Sequence, residues 1–455
     1  MKSALLPAFI TFLLTHLFWV DMSPAVGQDA TPVPLTPSTS TQQILRVETR
    51  LDGRGQIAPE KDKRINLRLD ARLHYDERII ARKQMLKSIR DYQLARAEIR
   101  LGDGSMINEL AEDRRIVIAQ VKNDQLPVKL AALGGPLTQK EFELIDIPAN
   151  SLVLDQLILH PTARFNQPWK PETAVLERFL NIDEIEESDV ELKLEVVEKR
   201  IARIFIGGDV TGSMDDAATR ITISGTIQYD TRARMVRSCD LTFNQHRDMS
   251  PIAPGLDATF RIVMRIKPVR NSSSLDNAGL ARLRKQAGSI TSQFTLIPAD
   301  GTISMQHPRS WRVILEQDNR ASLRLVQEGV MLGQCDVIPL PARPDEKPQT
   351  LAQFREVVEA KLADNHATVT STDQSDGKDE LQWIKVVATG AADGVHLIWT
   401  YYTITHEDGR RVQLVFTTEP DYSDRFNLQI ADLVEGLQFR DPAPASNTSN
   451  AGFRK

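Results

Sequence analysis

The chain of 455 residues is poor in cysteine and contains two, Cys239 and Cys335. Two cysteines cannot build a disulfide-rich scaffold, a cysteine-ligated zinc finger or a four-cysteine iron–sulfur site. Each lies in a segment of alternating apolar residues, where an unpaired cysteine behaves as a small hydrophobic residue. We therefore predict two buried thiols. A disulfide between the two halves is the alternative in an oxidising compartment.

The sequence also lacks the common catalytic motifs and an excess of positive charge. It contains no HExxH, GxSxG, P-loop or GxGxxG pattern, so we predict no cofactor and no catalytic residue. Its 56 Lys and Arg against 61 Asp and Glu give a net charge of -5, which argues against a nucleic-acid partner. The charge is uneven, because residues 286–440 carry -8 and the remainder carries +3.

One long apolar run is present, and it lies at the N-terminus. Lys2 precedes the mostly apolar residues 4–20, and the small residues Ala25 and Gly27 stand where a signal peptidase cleaves. We predict a signal peptide at residues 1–27 and a protein outside the cytoplasm, periplasmic or secreted. A retained anchor is the alternative. The mature chain is predicted to have no membrane span.

Composition and patterning divide the rest of the chain. Residues 28–41 are rich in Pro, Thr and Ser and are predicted to be a flexible leader, and residues 441–455 a polar tail. The serine-rich start of residues 271–288 indicates a linker. We therefore predict one domain at residues 42–270 and a second at residues 289–440.

The first domain is predicted to be mostly antiparallel sheet. In residues 64–75 apolar and polar side chains alternate, as expected of a strand with one wet face. Residues 190–196, 221–229 and 235–243 repeat the pattern, which favours a barrel or half-barrel. With the hairpin at residues 225–230, this half resembles the half-barrel domains of bacterial lipoprotein carriers. That resemblance implies a concave face for an acyl chain or hydrophobic peptide; the alternative is a plain packed core.

The second domain is predicted to combine strands with two helices. One helix begins with a Thr350–Gln353 capping box and runs to about residue 363, and the other covers residues 423–436. With this order and the Pro308–Trp311 segment, the domain resembles the PsbP-like family, which includes a photosystem II extrinsic subunit and a Ran-binding import factor. The resemblance implies an antiparallel sheet flanked by helices and a role in binding or assembly. We therefore predict an α+β protein.

Two features of this sequence are candidates for sites. Asp209, Thr211 and Ser213 follow an apolar run, and they resemble the metal-ion-dependent adhesion site of von Willebrand A domains, where oxygen ligands hold Mg²⁺. A hairpin loop is the alternative, because strand-like residues follow at once where that family needs a long helix. Trp311 is either a core anchor or an exposed contact for a partner.

These observations predict an exported, non-enzymatic binding or assembly protein of the bacterial envelope that acts through a protein partner. The alternative is a carrier of an apolar small molecule, such as a lipid or acyl chain, in the first domain. An unrecognised hydrolase is the third hypothesis.

Overall fold

The computed structural model describes residues 31–38, 40, 43–81, 85–122, 128–270, 272, 274–286, 293–298, 301–317, 319–327, 329–343, 349–376 and 381–440. The predicted signal peptide and the predicted tail lie outside the described residues. Among the described helices, none has the length and apolar character needed to cross a bilayer.

The first half of the chain is built mainly of long strands. Its strands are β1 (Val33–Leu35), β2 (Ile44–Glu60), β3 (Lys63–Ala81), β4 (Met85–Leu101), β5 (Gly104–Glu109), β6 (Ile116–Lys122), β7 (Lys129–Ala132), β8 (His160–Ala163), β9 (Pro168–Trp169), β10 (Glu184–Ser188), β11 (Glu191–Glu198), β12 (Ile201–Met214), β13 (Ala217–Asp230), β14 (Met235–Arg247) and β15 (Gly255–Val269). Its helices are α1 (Gln139–Ile145), α2 (Ser151–Leu157) and α3 (Thr173–Leu180).

Thirteen of these strands form one antiparallel sheet. Its order is β7-β6-β4-β3-β2-β15-β14-β13-β12-β11-β9, with β5 beside β4 and β10 beside β12. Strands β2 and β15, far apart in sequence, pair along their whole lengths, for example Leu51 with Ile262. The end strands β7 and β9 each pair on one side in the described part of the chain, so the sheet is open.

The sheet curves around its helices. Helix α2 contacts both β4 and β14, which lie four strand positions apart. At about 4.8 Å per strand, a flat sheet would separate them by roughly 19 Å, more than the diameter of a helix. One core cluster accordingly contains residues of all three helices and of strands throughout the sheet.

Two segments with predicted flexibility are partly ordered. In the predicted leader, β1 pairs with β8, and Leu35 is fully buried. In the predicted linker, helix α4 (Asn277–Gln286) places Leu280 against Ile44 and Ile89 on the outer face of the sheet. Arg78 of β3 donates hydrogen bonds to the Leu275 carbonyl and the Asn277 side chain. Few apolar residues therefore suffice to dock these segments.

The second half contains two further sheets. Its strands are β16 (Phe294–Leu296), β17 (Ile303–His307), β18 (Trp311–Gln317), β19 (Arg320–Gln327), β20 (Val330–Leu340), β21 (Thr368–Asp376), β22 (Leu381–Ala392), β23 (Val395–His406), β24 (Arg411–Thr418) and β25 (Leu437–Phe439), and its helices are α5 (Leu351–Lys361) and α6 (Ser423–Glu435). The larger sheet has the order β18-β19-β20-β24-β23-β22-β21, and the smaller has the order β16-β17-β25. The predicted Thr350–Gln353 capping box is present at α5.

The prediction of an α+β class is wrong. Of the described residues, 60% lie in strands and 17% in helices, which makes this a mainly β protein dominated by large antiparallel sheets. The sequence pattern of two amphipathic helices predicts a helical layer, but the strands extend well beyond their apolar patterns and dominate the structure. The resemblance to the PsbP-like family, on which the class rested, is not supported.

The two halves are joined by side chains that cross between them. Phe294, at the start of the second half, is fully buried and belongs to the core of the first. The guanidinium of Arg309 lies over the rings of Phe142 and Phe294, at 4.5 and 4.9 Å from their centres, and donates a hydrogen bond to the Leu130 carbonyl. These contacts fix one half against the other beside α1.

Candidate functional site

An apolar cavity lies on the inner face of the first sheet. Its volume is about 220 Å³, and Leu256, Phe260 and Ile262 of β15 line it from one side. Ile147 and Pro148, in the connection between α1 and α2, line it from the other. Since side chains alternate along a strand, residues 256, 260 and 262 point inward while Thr259 points outward. The strand pattern that builds the core thus also builds the cavity.

A larger cleft of about 760 Å³ separates the first half from the second. Arg312, Val313 and Ile314 of β18 form its second-half wall together with Arg324 of β19. The first-half wall comes from the ends of α1, α3, β12 and β14 and from residues 249–254. Among the described lining residues there is no histidine and no cysteine, so the cleft offers no nucleophile–histidine pair.

The cavity adjoins the cleft, because five residues line both: Glu143, Asp146, Asn181, Met214 and Arg247. Helix ends position two of them. Asp146 is the C-terminal cap of α1, and Asn181 ends α3 in a left-handed conformation that asparagine tolerates. The Asn181 amide donates hydrogen bonds to the Asp146 carbonyl and carboxylate, at 3.2 and 3.3 Å.

Asp215 connects the two walls of the cleft. Asp215 and Asp216 both have positive φ, at 52° and 58°, and form the tight turn between β12 and β13. The Asp215 carboxylate accepts hydrogen bonds from Arg247 of the first half and Arg312 of the second, each at 2.9 Å. One carboxylate between two arginines forms a charge-assisted link that holds the walls in register.

Three other carboxyl groups that line the cleft have raised pKa values. Burial raises the pKa of Asp146 to about 7, although Asn181 and nearby arginines favour its charged form. Burial likewise raises the pKa values of Glu143 and Asp183. The Asp146 carboxyl can therefore be protonated near neutral pH. In its protonated form it donates as well as accepts hydrogen bonds.

Replacing Asp146 with asparagine should remove a pH dependence of stability. An acid with a pKa raised from 3.8 to about 7 on folding stabilises the protein fully at low pH, and this contribution is lost as the pH rises towards 7. The loss is at most about 4 kcal/mol, and residual contact with water reduces it. Urea unfolding from pH 4 to pH 8 should show the wild type losing stability relative to Asp146→Asn. A constant difference between the two proteins would contradict this prediction.

The three candidate metal ligands from the sequence lie outside this cleft. Asp209, Thr211 and Ser213 are inside strand β12, paired with β13, and the hairpin turn follows them at Asp215. The Asp209 carboxylate accepts a hydrogen bond from Thr222. The predicted loop position is therefore wrong, since this strand extends further than its apolar run. The described residues contain no group of three or more His, Cys, Asp or Glu that could hold a metal ion.

Cys239 and Cys335 are free and buried, as we predicted. They lie in separate core clusters, one in each half. Burial raises the pKa of Cys239 to about 12 and raises that of Cys335 well above its ordinary value. Both thiols are enclosed in the core, where an unpaired cysteine packs as a small hydrophobic side chain.

Comparison with known proteins assigns no family to the chain. No family model and no curated protein matches it. Solved structures with some likeness include the outer membrane protein OprD from Pseudomonas aeruginosa, with 8% identity over 85% of this chain and 96% of that chain and a TM-score of 0.12. Another is the translocator domain of the autotransporter NalP from Neisseria meningitidis, with 6% identity over 84% of this chain and 89% of that chain and a TM-score of 0.14. Scores this low assign neither fold nor function.

Proposed function

We propose that this protein binds a ligand with a compact apolar part and a polar part in the cleft between its two halves. The supporting observation is that the apolar cavity and the polar cleft share five lining residues. At about 220 Å³ the cavity is smaller than the ~300–1,000 Å³ of ordinary ligand pockets, whereas the cleft lies within that range. A ligand that fills both has its apolar end against β15 and its polar end between Asp146 and Asp215.

The proposal corresponds to the carrier hypothesis rather than to assembly on a protein partner. Binding is non-enzymatic in this proposal, and the bacterial envelope is the proposed location. Export rests on the pattern of residues 1–27, and the choice between periplasm and secretion remains a prediction. A partner protein in the envelope is compatible with such a carrier, which must receive and release its ligand.

Filling the cavity should weaken binding while leaving the fold intact. Leu256 lines the cavity and is half-buried, so the larger ring of Leu256→Trp would occupy the space of the ligand. We expect about tenfold or greater loss of affinity for a dansyl-labelled fatty acid, measured by fluorescence titration. Thr259→Trp is the matched control, because it adds an indole to the outer face of the same strand.

Native mass spectrometry of protein from its own host should show a bound mass that is extractable into organic solvent. Equal binding by Leu256→Trp, Thr259→Trp and wild type would place the ligand elsewhere. Absence of both probe binding and a bound mass would overturn the proposal.

A further inference from the structure

The outer face of the first sheet carries rows of like charges. Strand pairing places Arg54, Arg68 and Arg100 side by side across β2, β3 and β4. Two residues further along, the same strands place Asp52, Asp70 and Glu98 side by side, and a third row consists of Arg50, Arg72 and Arg96. We call these nine residues the striped face.

The striped face has an uncompensated positive charge. Its six arginines and three carboxylates give a net charge of +3, which Glu109 of β5, opposite Arg96, lowers to +2. The carboxylates pair with Arg50, Arg72 and Arg100, at 2.6 to 3.3 Å. Arg54, Arg68 and Arg96 are exposed and make no ion pair with the described residues. Like charges directly opposite each other across strands are destabilising, so the pairing of Arg54 with Arg68 does not stabilise the fold.

Another part of the outer face is covered by the chain itself. Helix α4 packs on the same outer face further along, over Ile44, Ile89 and Ile118. There the protein itself covers the outward residues, which are the apolar Ile44 and Ile89 with Arg78 between them, whereas the striped face is charged and open to solvent. This face also lies on the opposite side of the sheet from the apolar cavity, so the two are separate sites.

We propose that the striped face docks onto an anionic lipid surface. Arginine is suited to phosphate groups because its planar donors bind two oxygens at once. The two arginine rows lie about 14 Å apart, since four residues of strand separate them, and the acidic row lies between. Lipids diffuse in the bilayer plane, so anionic headgroups can gather over the arginine rows and leave the acidic row. A rigid polyanion with evenly spaced charges cannot avoid that row.

Vesicle binding by the full chain tests this proposal. With vesicles of phosphatidylglycerol and phosphatidylcholine at low ionic strength, the triple variant Arg54→Gln, Arg68→Gln, Arg96→Gln should partition at least about tenfold more weakly than wild type in a flotation assay. The matched control, Arg164→Gln, Arg232→Gln, Arg440→Gln, removes the same charge from exposed positions outside the face. It should bind like wild type.

Three outcomes would overturn the proposal. They are equal losses in the two triple variants, undiminished binding to vesicles of pure phosphatidylcholine, and tighter binding of a sulfated polysaccharide through the same three arginines. The last would make the occupant a soluble polyanion. Circular dichroism and melting temperature confirm folding of each variant. The fatty-acid titration, which the triple variant should leave unchanged, keeps this test independent of the proposed ligand site.

Discussion

Replacing Trp311 with alanine should lower the free energy of unfolding by about 3–5 kcal/mol, as for other large aromatic residues removed from a core. The Trp311 side chain is fully buried and packs against Phe416 and Phe426, with ring centres 6.5 and 5.6 Å away. Its indole nitrogen has no hydrogen-bond partner among the described residues, so the loss comes from the cavity and from apolar contacts. Of the two roles predicted from the sequence, the structure supports the core anchor.

Urea unfolding of the full chain measures this loss. Trp383→Ala serves as the matched control, because it removes the same atoms from a half-buried ring and should cost less. Trp311→Phe should retain part of the packing, so its free energy of unfolding should lie between those of the wild type and Trp311→Ala. A loss below about 1 kcal/mol for Trp311→Ala would show that this ring does not anchor the core.

Breaking the buried ion pair of Glu77 and Arg90 should cost a similar amount, about 3–5 kcal/mol for either single substitution. The Arg90 guanidinium donates a 2.8 Å hydrogen bond to Glu77, and both side chains are 2% exposed. Arg90 also donates to Asn150, the N-terminal cap of α2, and Ser151 donates to Glu77 at 2.8 Å. The network therefore ties β3 and β4 to the start of α2, next to the connection that lines the apolar cavity.

A double-mutant cycle separates the pair from its surroundings. Glu77→Leu and Arg90→Met each leave one buried charge without its partner, whereas the double variant leaves neither. We therefore expect the double variant to lose less stability than the sum of the two single losses, with a coupling energy of at least about 1 kcal/mol. Strictly additive losses would contradict the view that the two charges act as a unit. The fatty-acid titration on the single variants reports whether α2 still shapes the cavity.

Much of the local structure was predictable from the residues. The alternation of residues 64–75 identified a strand with one wet face, and the Thr350–Gln353 pair identified the start of α5, because both signals depend on neighbours in sequence. Strand lengths were less predictable. Asp209 to Ser213 look like a loop when read alone, yet they belong to β12, since pairing with β13 supplies the hydrogen bonds that a weak local pattern does not indicate.

The candidate site was not predictable residue by residue. Asp146, Asn181, Asp215, Arg247 and Arg312 carry no shared motif, and more than 150 positions separate the first from the last. A partial signal was available in the resemblance to lipoprotein carriers, which implied an apolar space in the first half. No sequence pattern indicated the polar residues beside that space, because the second wall of the cleft belongs to the other half of the chain.

The sequence by itself determined the strongly patterned strands, the two helices of the second half and the burial of both cysteines, but not β1, α4 or the full length of β12. These properties follow from the side-chain periodicity of two or 3.6 residues and from local capping. Tertiary structure decided that the protein is mainly β, that its large sheet is open and curved, and that Asp215 lies between two arginines. It also raised the pKa of Asp146 and aligned the charges of the striped face. Each of these depends on strand register and on the docking of the two halves, where residues distant in the chain come within a few ångströms of each other.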